Sequence, residues 1–98
     1  MATLLFTHNQ LYKRWESAAF SPTMSNIEIA VTFKNPGGGH VSVLRSTDGV
    51  TFTNFESSTI GNLCQKTKTV IFNISGIVPA AILKLASTTE PQDMSWRE

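Results

Sequence analysis

Asn26-Ile27-Glu28-Ile29-Ala30-Val31-Thr32-Phe33-Lys34 is the stretch that decides the fold class. Ile27, Ile29, Val31 and Phe33 alternate with Glu28, Ala30, Thr32 and Lys34, the period-2 pattern of a strand with one buried face. Asn35-Pro36-Gly37-Gly38-Gly39 breaks that strand, and His40 to Arg45 resumes it with Val41 and Val43 on one side. Ser46-Thr47-Asp48-Gly49 is a second turn signal, leading to Val50, Phe52 and their alternating threonines. Two strands, and a third through Val50 and Phe52, are therefore predicted in antiparallel order.

The same reading extends outward. Leu4 to Thr7 is a short strand, and Leu11 to Ser17 is another that Ala18-Ala19-Phe20 can prolong. Glu56 to Lys66 reads as a loop. Thr67 to Ser75 places Val70, Phe72 and Ile74 on one face and Thr69, Ile71 and Asn73 on the other. Ala81 to Ser87 forms a strand through Ile82, Leu83 and Leu85, and Asp93 to Glu98 closes a sheet as an edge strand carrying Met94 and Trp96. No segment carries the apolar recurrence of an amphipathic helix. Seven or eight short strands, spaced about ten residues apart with Gly, Pro and Asn between them, predict an all-β antiparallel β-sandwich, jelly-roll or Ig-like. The expected core is Ile27, Ile29, Val31, Phe33, Val41, Val43, Phe52, Phe72 and Ile74.

The 98 residues make one domain, residues 1–98, long enough to bury a core without staples. A net charge of +1, with basic residues scattered in runs no longer than Lys13-Arg14, gives no electrostatic footprint for nucleic acid. Cys64 is the single cysteine, so no disulfide closes within the chain, and no Cys/His spacing suits zinc. His8 and His40 stand at loop ends without acidic or cysteine companions nearby in sequence. The carboxylates are isolated from one another, and no nucleophile elbow surrounds a serine. The expectation is a protein without catalytic residues, cofactor or metal, and not an enzyme. Met1-Ala2-Thr3-Leu4-Leu5-Phe6-Thr7 reads as a first strand and not as a signal peptide, and no apolar run reaches membrane-spanning length.

Some residues look built for contact. Gly37-Gly38-Gly39-His40 is richer in glycine than a short hairpin needs and suggests a mobile loop that meets a partner. Ile71 and Leu83 sit in strands that are apolar on both faces, so a neighbouring subunit is expected to cover what one core cannot absorb. Tyr12, Trp15 and Trp96 are the rings able to stack on the C–H face of a sugar. Ser46-Thr47-Asp48-Gly49-Val50-Thr51-Phe52 resembles the Asp-box of sialidases, with one residue fewer before the glycine and Phe52 in place of tryptophan. A single copy makes a hairpin turn, not a propeller.

A chain of this size whose strands are joined by Ser-Thr-Asp-Gly and Gly-rich turns resembles the small β-sandwich virion proteins of tailed bacteriophages, of the auxiliary or decoration type on the capsid. The resemblance is one of style over the whole chain, without a diagnostic motif, and transfers no functional residue. It implies a non-enzymatic structural protein, made in the host cytoplasm and carried in the virion. Its partners would be copies of itself and a larger assembly. The alternative expectation is a carbohydrate-binding module using Tyr12, Trp15 and Trp96, with glycan as ligand.

Overall fold

The structure is a computed structural model that describes residues 2–34, 39–60, 67–75 and 82–98. Among these residues there are nine strands and no helix: β1 (Ala2–Thr3), β2 (Phe6–Asn9), β3 (Arg14–Ser17), β4 (Ile27–Phe33), β5 (His40–Ser46), β6 (Thr53–Thr59), β7 (Lys68–Ile74), β8 (Ile82–Ser87) and β9 (Asp93–Arg97). They form two antiparallel sheets, β1-β9-β4-β7 and β2-β3-β8-β5-β6. Among the described strands only β2–β3 and β5–β6 are sequence neighbours that pair, whereas β1 to β2, β3 to β4, β4 to β5, β6 to β7, β7 to β8 and β8 to β9 each change sheet. That winding is a jelly roll, two Greek keys wrapped over a common core, with β2 added at one edge.

The alternation of β4 sets the core. Ile27, Ile29, Val31 and Phe33 are buried while Glu28, Ala30 and Thr32 are half-buried on the outer face. Opposite them in the ladder stand Ile74, Phe72, Val70 and Lys68 of β7, and Trp96 and Met94 of β9 pair with Ile29 and Val31. The second sheet contributes Val41 and Val43 from β5 and Leu83 and Leu85 from β8, all fully buried. Each such side chain contributes roughly 1.5–3 kcal/mol on leaving water. Phe20 joins the two layers: its backbone bridges Leu83 in one sheet, and its ring stacks on Trp96 of the other at 4.9 Å.

Several expectations change. The strand expected through Val50 and Phe52 is a loop, because side chains take the backbone donors that a ladder would need. Asp48 Oδ1 accepts from the amides of Val50 and Thr51 at 2.8 and 2.9 Å, and Ser46 Oγ accepts from that of Gly49 at 2.9 Å. Strand β6 runs from Thr53 to Thr59, so that Glu56 to Thr59 lie in the span expected to be loop, and Phe52 lies half-buried outside the core. Leu83, expected to face outward, is fully buried, since it shares parity with Leu85 while Lys84 faces out. Strand β9 is not an edge but lies between β1 and β4. Leu11 to Lys13 form a turn and not strand: Asn9 Oδ1 accepts the Leu11 amide at 3.0 Å, and Lys13 adopts a left-handed φ of 52°.

Candidate binding recess

Strand parity builds a site on the outer face of the five-stranded sheet. Arg14 and Glu16 are separated by one residue on β3, so both point outward, and Glu16 pairs with Ala86 of β8. Lys84 stands two residues from Ala86 on that same face, opposite Leu44 of β5. The Glu16 side chain is 8% exposed and is held from both sides. Arg14 Nε donates to its Oε2 at 2.6 Å, Lys84 Nζ approaches its Oε1 at 3.0 Å, and Asn9 Nδ2 donates to Oε1 at 3.2 Å. Burial alone would raise the Glu16 carboxyl, but the hydrogen bonds from Lys84, Arg14 and Asn9 outweigh it and hold the group below its ordinary value.

The Asp48 turn brings an apolar wall to these charges. Leu44 faces outward yet is only 6% exposed, and it shares the recess with Val50 and Phe52 of the returning loop. Lys84 Nζ lies 5.3 Å from the centre of the Phe52 ring, and the Arg14 guanidinium lies 4.9 Å from that of Tyr12. The result is an open recess of about 340 Å³ between two aromatic rings, floored by an ion-paired carboxylate. Two cations and one anion line it.

The other sequence-predicted residues lie apart from this recess. Trp15 points to the opposite face of β3, edge-on to Phe6 at 6.2 Å and to His8 at 5.0 Å. Trp96 is in the other sheet beneath Phe20. Tyr12, Trp15 and Trp96 therefore do not form one platform, and Tyr12 alone reaches the recess. Ile71 is 54% exposed on the outer face of β7. Gly39 has φ 108°, a backbone conformation that strains any side chain, and a Cβ there would collide with Thr88 Oγ1. His40 is clamped to the same threonine, donating its amide to Thr88 Oγ1 at 2.9 Å. Gly37, Gly38 and Cys64 lie outside the described residues.

Asp48 works on the backbone. The amides of Thr51 and Val50 and the Ser46 hydroxyl hold its carboxyl down at about 2. A hollow of about 430 Å³ at the end of the four-stranded sheet is lined by charges that are already occupied: Arg97 pairs with Glu28 at 3.2 Å, and Glu98 accepts from Thr23 and Met24. Among the described residues no three His, Cys, Asp or Glu side chains gather as metal ligands.

Sequence reasoning missed Asn9, Arg14, Glu16, Leu44, Val50 and Lys84 and placed Phe52 in the core. The signal for the charges was present: Arg14 and Glu16 at i and i+2 of a strand share a face, and Lys84 between Leu83 and Leu85 marks the outward side of β8. Comparisons with protein-family models, with curated proteins and with solved structures find no match to this chain.

Proposed function

We propose that this protein is a non-enzymatic structural module that self-associates and docks on a larger assembly, as a capsid auxiliary or decoration component of a phage particle would. The observation that supports this reading is the apolar surface that remains once the core is closed. Leu5, Leu11 and Val50 are each 80% or more exposed, and Tyr12, Met24 and Ile71 are more than half exposed. Single exposed apolar residues are ordinary on a domain surface, and a subunit contact would take these out of water. The edge strand β6 adds exposed backbone: residues Thr53 to Ser57 are exposed, and Glu56 is the one charge in the strand. The jelly roll is a frequent architecture of capsid and lectin domains, a fold-level analogy that agrees with this reading without carrying it.

Light scattering of the purified protein over a wide concentration range, with electron microscopy of phage capsids mixed with it, tests the proposal. A defined oligomer, or regular density on capsids, is the expected result. Ile71→Glu and Leu11→Glu should weaken association while leaving the thermal midpoint close to wild type. A strictly monomeric protein that also leaves capsids bare overturns the reading.

A further inference from the structure

We propose that the recess between Tyr12 and Phe52 is a binding site for an acidic sugar, a pyranose bearing a carboxylate. The charge count is the first reason. Arg14 and Lys84 share a single carboxylate, so the recess keeps one positive charge that the protein does not neutralise. Both oxygens of Glu16 are taken, while the guanidinium of Arg14 and the ammonium of Lys84 each carry more N–H donors than Glu16 accepts. An incoming carboxylate meets preplaced donors and cancels the excess charge.

The walls give the second reason. A pyranose has C–H faces that pack on flat apolar surface, and here Tyr12 stands on one side with Phe52, Val50 and Leu44 on the other. The Tyr12 hydroxyl and the second N–H of the Asn9 side-chain amide, whose oxygen already accepts from Leu11 and Tyr12, are of the kind that sugar hydroxyls pair with. At about 340 Å³ the recess is at the small end of ligand sites and suits a single ring. Two cations at the floor repel a metal ion. A chain with a net charge of +1 and no basic stripe offers nucleic acid no track beyond this point. Tyr12 and Val50 also belong to the exposed apolar surface of the assembly reading, whereas Arg14, Glu16 and Lys84 do not, so the charged contacts test the recess apart from assembly.

Amide-resolved NMR titration of the intact protein with sodium glucuronate, glucose and sodium acetate tests it. Glucuronate should shift the amides of Tyr12, Arg14, Phe52 and Lys84 in one saturable process. Glucose, without the carboxylate, and acetate, without the ring, should each bind at least about tenfold more weakly. Lys84→Met should abolish the preference for glucuronate over glucose. Tyr12→Ala, at an exposed turn whose loss leaves the core intact, should weaken glucuronate by about tenfold. Shifts absent or scattered over the surface, glucose binding as tightly as glucuronate, or acetate binding as tightly as glucuronate would each overturn the proposal, the last as an adventitious carboxylate only. Light scattering of Lys84→Met separates the inference from the assembly reading, since Lys84 lies outside the exposed apolar surface and each reading can fail while the other stands.

Discussion

Residues 71 and 72 provide an internal control for the sandwich. They are neighbours on β7 but face opposite ways: Phe72 is 5% exposed and lies across from Ile29, whereas Ile71 is 54% exposed across from Ala30. Truncating a buried phenylalanine to alanine costs about 3–5 kcal/mol, from lost transfer energy and the cavity left behind. Strand β7 is an edge of its sheet, so its surroundings can close partly over the gap, and the expected loss is near the lower figure, about 3 kcal/mol. For a domain of this size each kcal/mol moves the thermal midpoint by roughly 4–8 °C, so Phe72→Ala should lower it by roughly 12–24 °C. Ile71→Ala removes atoms that are half in water already and should cost under about 1 kcal/mol. Urea denaturation of both variants at low protein concentration, with unchanged m-values, is the assay. Equal losses, or a Phe72→Ala loss below about 1 kcal/mol, would refute the register on which the core is built.

Gly39→Ala should cost about 1–3 kcal/mol, because the new Cβ strains the backbone and collides with Thr88 Oγ1, while Gly49→Ala at φ 79°, with only an ordinary contact to Ile82 Cδ1, should cost less; chemical denaturation compares the two. Glu16→Gln leaves Arg14 and Lys84 facing each other without the carboxylate; since both cations are roughly 30% exposed, the loss should be about 1–2 kcal/mol and not the larger penalty of a fully buried pair. Asp48 titrates lower in the fold than its ordinary 3.8, so its support of the 46–51 turn is complete above about pH 4 and is lost as pH falls through about 2. Amide exchange at Val50 and Thr51 should accelerate across that window, and Asp48→Asn should remove the dependence.

The strands legible in the sequence were those with unbroken alternation. Ile27 to Phe33 and Lys68 to Ile74 fall within the spans read from the pattern, because parity alone assigns each side chain to a face. Parity failed where local polar groups competed for the backbone. Ser46 and Asp48 bind four amides of their own loop, which ends pairing before Val50 although Val50-Thr51-Phe52 alternates well. Asn9 does the same to Leu11 and Tyr12. The recess was illegible for a further reason: it needs β3, β5, β8 and a folded-back loop to be neighbours, and strand order is a long-range property that no window of sequence contains. Its charges, each isolated along the chain, become a cluster only through the pairing of Glu16 with Ala86 and of Lys84 with Leu44.

The central position of β9 has a kinetic consequence. Ala2 and Thr3 pair with Trp96 and Ser95, and Glu28 to Thr32 pair with Arg97 to Asp93, so the first and last strands of the sandwich meet in one ladder. During synthesis β4 and β7 can form a hairpin-like ribbon well before β9 leaves the ribosome, but β1 has no neighbour and β4 keeps an open edge until then. Closure of this sheet therefore waits for the last of its strands, a late step of the slow kind expected where non-local strand pairing dominates. In that interval the slot beside β4 is an unpaired edge that the β9 of another copy can compete for, so strand exchange between chains is the misfolding route this topology exposes.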